Sequence, residues 1–174
     1  MTDGHRIRMA TAEEETLLAE TVRRSFRDVA ERFGLTPENC PRHPSNCTAD
    51  WIQEDLCRGA VYFLVECGGN AVGCAALEKA ADRICYLERL SVLPAYRRRG
   101  CGAALVDRIL QEARSLGARE VHIGIIADQK ELQSWYERQG FVAGDTRVFA
   151  HLPFRVRFLS CPLEGPSASK RRLL

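Results

Sequence analysis

The chain has almost no net charge, no long apolar run and no internal repeat, and each absence removes a class of function. Lys and Arg number 25 against 23 Asp and Glu in 174 residues. Glu164, Lys170, Arg171 and Arg172 account for the whole surplus, so the body of the chain is balanced. Holding nucleic acid through its phosphates requires a concentrated basic surface. Within that body the only dense basic run is Arg97-Arg98-Arg99, and no nucleic-acid partner is expected. No stretch of roughly 18 apolar residues occurs, and the polar start Met1-Thr2-Asp3-Gly4-His5-Arg6 leads into no apolar segment. The expectation is a soluble, cytoplasmic protein with no membrane partner. Eight cysteines make up under about 5% of the chain, below the share found in disulfide scaffolds. In a reducing compartment they should be mostly free, buried thiols. What is present is a 45% apolar composition, enough for the core of one domain.

Periodicity divides that domain into alternating elements. His5 to Met9 reads as a first strand, and Thr11 is placed to cap a helix from 12 to 33, closed by Gly34. Pro37, Pro41 and Pro44 imply a long ordered loop before a second helix that Thr48 caps. Ala60 to Cys67 and Ala71 to Lys79 should pair as a hairpin around Gly68-Gly69-Asn70. A strand over Ile84 to Leu93, a helix over Gly102 to Leu116 and a strand over Glu120 to Ile126 then form a β-α-β unit. A helix over Lys130 to Gln139 and strands over Phe141 to Ala150 and Phe154 to Ser160 complete an α/β fold with a mixed sheet. Residues 164 to 174 have little to bury and are expected to form a disordered basic tail outside a domain of residues 5–163.

The most informative segment joins a strand to a helix through Arg97-Arg98-Arg99-Gly100-Cys101-Gly102. Two glycines around one residue allow a tight turn, which aims unpaired N–H groups and the positive helix end at one spot, as a pyrophosphate requires. A P-loop would need a Lys-Ser/Thr pair, and a dinucleotide fingerprint needs a small residue where Leu105 stands. What fits is R-x-x-G-x-G, carried by Arg97, Gly100 and Gly102 after the strand Leu90-Ser91-Val92. A second segment, Trp135-Tyr136-Glu137-Arg138-Gln139-Gly140-Phe141, fits Y-x-x-x-G-F. With both motifs at this separation the chain resembles the GNAT superfamily of acetyl-CoA-dependent N-acetyltransferases, from about Ile7 to Leu163. The resemblance implies a GNAT fold with a mixed central sheet of about seven strands and about four helices, and acetyl-CoA as co-substrate. It implies that backbone groups of Leu90 and Val92, flanking Ser91, pair with the pantetheine arm. Amides from Arg98 through Arg99, Gly100, Cys101 and Gly102 to Ala103 would hold the pyrophosphate. Where that family commonly has an Asn seven residues before the tyrosine, this chain has Gln129.

The chemistry of acetyl transfer asks for a neutral amine and a stabilised thiolate. Neutralising a lysine-like amine at pH 7 costs roughly 4.6 kcal/mol, within reach of a carboxylate acting through water. Glu88, two residues before Leu90, is the candidate base, and Tyr86-Leu87-Glu88 resembles the corresponding stretch of spermidine/spermine acetyltransferases. Tyr86 is the alternative. Tyr136 matches the family tyrosine whose hydroxyl serves the departing thiolate, and a proton passing from an ordinary phenol to an ordinary thiolate climbs only about 2 kcal/mol. Cys101, at a helix N-terminus, is in a setting that lowers a thiol pKa, but no partner base accompanies it, so a filler role is expected.

The loop Asn39 to Cys47 should shape the acceptor pocket, with His43 and Asn46 as its contacts. Cys40, His43 and Cys47 offer three ligands without a C-x-x-C pair, so no metal site is expected. These residues together imply an enzyme that acetylates a primary amine of a small molecule by direct attack in a ternary complex, with a homodimer left open. A protein or peptide N-terminus or lysine as acceptor, and a non-catalytic acyl-CoA sensor, are the alternatives.

Overall fold

The computed structural model describes residues 4–163, so the expected tail lies outside the described residues. The described strands are β1 His5–Met9, β2 Val61–Cys67, β3 Asn70–Lys79, β4 Ile84–Val92, β5 Glu120–Ile126, β6 Val142–Val148 and β7 Arg155–Pro162. They form one seven-stranded sheet in the order β1-β2-β3-β4-β5-β7-β6. Every neighbouring pair is antiparallel except β4 with β5. The helices are α1 Glu15–Ser25, α2 Arg27–Phe33, α3 Ala49–Cys57, α4 Cys101–Ser115 and α5 Lys130–Arg138. The mixed α/β sheet is as the sequence predicts, and the predicted elements differ from these by one or two residues at most ends, apart from the first helix.

That helix is two helices. Phe26 leaves the helical region at φ −100°, ψ 1° and separates α1 from α2. The hydroxyls of Thr21 and Ser25 donate to the carbonyls four residues back, a pattern that bends helices. The Ser25 carbonyl is then taken by the Arg97 guanidinium at 2.6 Å, so a long-range bond claims an acceptor that a continuous helix would use. Nor does Thr11 cap α1. Its amide donates to the Glu14 carboxylate, which Arg8 also grips, and the N-cap position is Glu14. Thr48 caps α3 as predicted, its Oγ accepting from the Trp51 amide.

The sheet has a core on each side. Against one face α4 buries Leu105, Val106 and Ile109 on Phe63, Val65, Ala75, Leu87, Val121 and Ile123. Against the other α1 and α3 bury Leu18, Val22 and Ile52 on Tyr62, Leu64, Cys74 and Ala76. Alternation along the strands feeds both. At roughly 25 cal/mol per Å² of apolar area removed from water, such fully buried Leu and Ile side chains each contribute on the order of 2 kcal/mol. The described cysteines are all free thiols; Cys40, Cys47, Cys74, Cys85, Cys101 and Cys161 are buried, and Cys57 is exposed. No helix among the described residues is long and apolar enough to cross a membrane.

Candidate active site

The parallel pair β4 and β5 runs together only from Ile84↔Glu120 to Tyr86↔His122. Beyond that rung the strands part, and among the described residues no strand pairs with β4 from Leu87 to Val92 on that side. On its other side β4 carries a bulge. Ala76 pairs with Glu88 and Cys74 with Ser91, so Arg89 and Leu90 together stand opposite Ala75. Arg89 adopts φ +51° there. The bulge inverts the alternation of the strand. Cys85 and Leu87 face the α4 core before it, and Leu90 and Val92 do so after it. Glu88 is thereby left on the opposite face beside the gap, and among the described residues no strand pairs with Leu90 or Val92 there, although the Val92 carbonyl accepts from Arg97 Nε at 3.1 Å.

The gap ends at the cradle. Arg98 at φ +60° and Gly100 at φ +84° alternate with ordinary residues, the pattern of a nest whose amides converge. The first intrahelical bond of α4 runs from the Ala104 amide to the Gly100 carbonyl. Among the described residues no backbone carbonyl accepts from the amides of Arg98, Arg99, Gly100, Cys101, Gly102 or Ala103. Six donors at the positive end of a fifteen-residue helix suit a pyrophosphate by geometry and by charge. The side chains of Arg98 and Arg99 are exposed beside them.

Other cradle side chains do something different from what their type suggests. Arg97 turns away and donates to Asp28 at 2.5 Å, to the Ser25 carbonyl and to the Val92 carbonyl, fastening the loop to the α1–α2 junction. Ser91 is buried, and its hydroxyl donates to the Arg89 carbonyl rather than facing the gap. A Cβ at Gly102 would meet the Trp135 indole at 3.2 Å, so this glycine admits an aromatic ring of α5 to the α4 N-terminus. Cys101 differs from its helix-end setting only in the direction of its thiol shift. Burial and the neighbouring Cys67 thiol push its pKa up, outweighing the helix end and Arg99, so it is an inert filler.

Trp135 brings its neighbour with it. Tyr136 is buried, stacked edge-on to Trp135 at 4.9 Å and to Phe141 at 5.3 Å. Among the described residues its hydroxyl has no hydrogen-bond partner. Burial raises its pKa well above that of a free phenol, and the charge of Glu88 adds to the rise. Glu88 itself retains surface open to water while protein crowds around it. Desolvation pushes its carboxyl up, Glu78 and Asp55 reinforce the push, and Arg89 and Arg58 oppose it. The result is a carboxylate more basic than usual that solvent still reaches. Tyr86 sits on the last β4–β5 rung, edge-on to His122, which bonds Glu120 at 2.6 Å.

Gln129 caps the start of α5 without a side-chain bond. One turn on, Gln133 donates to Glu137 and points a buried Oε1 with no partner. Its spacing of three from Tyr136 puts both on one helix face, a signal present in the sequence that motif matching passes over. In the loop, the His43 ring is buried edge-on to Phe26 and bonds Ser45, and burial holds its pKa down at about 4. It is neutral at pH 7 and too weak a base to draw a proton from an amine. Asn46 donates across the loop to the carbonyls of Cys40 and Pro41. Both residues shape the loop itself.

A sequence model described as the acetyltransferase (GNAT) family matches residues 23–141, well over half the chain and both motifs. The chain belongs to that family. It is 36% identical over 81 residues to an uncharacterized N-acetyltransferase of Mycobacterium tuberculosis, a stretch that is 47% of this chain and 52% of that protein. The chain thus spans about half the length of the mycobacterial relatives it matches. It is 28% identical to the uncharacterized N-acetyltransferase YjgM of Escherichia coli over 79% of this chain and 86% of that one. Among solved structures, the PaiA N-acetyltransferase of Thermoplasma acidophilum in complex with coenzyme A superposes with a TM-score of 0.75. It is 16% identical and is matched over 91% of this chain and 99% of that one. The fold of this chain is accordingly the GNAT fold, and acetyl-CoA is the co-substrate that membership of the family implies.

Proposed function

We propose that this protein transfers an acetyl group from acetyl-CoA to a primary amine of a small molecule, by direct attack within a ternary complex. What supports the reading is the set of six free cradle amides at the end of the open stretch of β4 that Glu88 borders, together with the buried Tyr136, whose phenol the Glu88 charge pushes up. The thioester supplies an activated acyl carbon. Leu90 and Val92 offer backbone groups to the arm that carries it, and the cradle amides fix its phosphates. Glu88, raised by desolvation and open to water, accepts the proton that the acceptor ammonium must lose before its neutral amine attacks, and water carries off the second proton as the amide forms. The carbon–sulfur bond breaks as the amide bond forms, and the Tyr136 hydroxyl, free of protein partners, donates to the departing sulfur. A raised phenol pKa makes outright transfer steeper than for a free tyrosine, so the hydroxyl acts foremost as a positioned hydrogen-bond donor.

The free Tyr136 hydroxyl favours turnover over a sensor that only binds acyl-CoA. Incubation with acetyl-CoA and a panel of small amines, polyamines and peptides, read by release of free thiol, tests this. Thiol release with a small amine is expected. Release only with peptides would replace the acceptor class, and tight acetyl-CoA binding without release from any amine would replace the enzyme by a sensor.

A further inference from the structure

Arg89 is an arginine in two unusual circumstances. It lies within a strand at φ +51°, a region costly for a residue with a Cβ, and its guanidinium is buried, with only 14% of the side chain exposed. Both are tied to one partner. Asp55, in the last turn of α3 and 5% exposed, accepts from Arg89 Nε at 2.6 Å and from Nη2 at 3.3 Å. Its remaining capacity is filled by Arg58 Nη2 at 2.6 Å and by the Tyr62 hydroxyl. Trp51 of α3 lies against the same guanidinium at 5.7 Å, and the Ser91 hydroxyl closes over the Arg89 carbonyl.

Without the bulge, simple alternation would turn Arg89 toward the α4 core with Cys85 and Leu87. With it, Arg89 reaches α3 and Leu90 takes the core position. The geometry points to Asp55 and Arg89 as positioning residues: their buried, two-pronged ion pair holds the β4 bulge open, and the bulge sets Leu90 and Val92 against acetyl-CoA and Glu88 beside the gap. Neither residue touches the reacting atoms. The inference uses the acetyl-CoA reading for one of its two measurements only.

Two double variants isolate the bulge from the charge. Asp55→Ala alone leaves a buried arginine unpaired and can fail by unfolding, so both variants remove both charges. Asp55→Ala with Arg89→Gly supplies a residue that adopts positive φ freely, and Asp55→Ala with Arg89→Ala supplies one that does not. Calorimetric binding of acetyl-CoA should weaken at least tenfold in the alanine pair and stay within about threefold of the parent in the glycine pair. Amide hydrogen exchange from Leu90 to Val92 should be faster in the alanine pair alone. Equal affinity and equal exchange in the two variants would overturn the inference, since a brace that only stabilises the fold favours alanine, if either. A parent chain that binds no acetyl-CoA would overturn the proposed function instead, and the exchange measurement would still decide the brace.

Discussion

From Leu90 to Ala104 the chain is shaped mainly by its backbone, through a bulge, a nest and a helix end. From Gly34 to Cys57 it is shaped mainly by side chains. In the second region Asn39 bonds the Gly34 carbonyl and the Thr36 amide, His43 bonds Ser45, Asn46 spans to Cys40 and Pro41, and Arg23 reaches the Cys47 carbonyl. Backbone devices leave donors free, and side-chain brackets consume them. The first region is therefore equipped to bind, while the second holds a wall in place. Arg97–Asp28 fastens the first region to α2, and Arg89–Asp55 fastens the bulge at its edge to the second.

That contrast is tested first at Tyr136, whose neighbour Trp135 packs on Gly102 of the cradle. Tyr136→Phe keeps the ring and its two edge-on contacts and removes a hydroxyl that has no partner among the described residues. Turnover with the best amine should fall by about 10²-fold, with acetyl-CoA affinity and melting temperature nearly unchanged. An undiminished kcat would take Tyr136 out of the mechanism.

Gly102→Val asks whether the cradle is a packed object as well as a binding one. The new side chain would collide with Trp135, so it should cost about 1–3 kcal/mol of stability by overpacking and weaken acetyl-CoA binding in the same variant. Chemical denaturation and calorimetry measure the two. Loss of affinity at full stability would mean that the Cβ meets the ligand alone.

Glu88→Gln sharpens the contrast through pH. Because the folded protein raises this carboxyl, the acid limb of kcat/KM should lie above the ordinary carboxylate range in the parent and vanish in the variant. The sign for stability follows by linkage. The protonated form is favoured on folding, so the stabilising contribution is complete at acid pH and is lost as pH rises through the folded pKa. Glu88→Gln should therefore melt higher than the parent at pH 7 and at the same temperature near pH 4. A variant less stable at pH 7 would show the charge to be a favoured partner of Arg89 instead.

The smallest effect belongs to the wall. Asn46→Ala removes two loop bonds and should lower stability by about 1 kcal/mol while leaving acetyl-CoA affinity intact. A large rise in acceptor KM, with little change in melting temperature, would return Asn46 to the acceptor contacts it is expected from the sequence to make.

The legibility of these regions in the sequence follows the same division. The cradle could be read because its donors come from consecutive residues, and a glycine spacing states a backbone geometry locally. The hairpin and β5 were legible for the same reason. The bulge left a trace as well: the apolar positions Cys85, Leu87, Leu90 and Val92 break strict alternation by one residue, although Ile84 to Leu93 reads as an unbroken strand. What no local pattern states are pairs such as Arg97 with Ser25 and Asp28, or Arg89 with Asp55. The first of these divides the 12–33 helix in two. His43 and Asn46 invite a functional reading because they are polar residues in a proline-rich loop, and their partners lie within the loop itself.

The inverted alternation of β4 has a consequence for insertions and deletions. Removing one residue from a half-buried strand ordinarily turns everything beyond it inside out. Here removal of Arg89 would do the opposite: Cys85, Leu87, Leu90 and Val92 would fall into simple alternation, all facing α4. The strand is thus one residue away from a regular one whose core pattern is already written, and the irregular form persists at the cost of a strained arginine. In a deletion scan across this domain made in an Asp55→Ala background, so that no buried carboxylate loses its arginine, position 89 is where folding and cofactor binding should part company, the chain surviving the loss and the gap closing over Leu90.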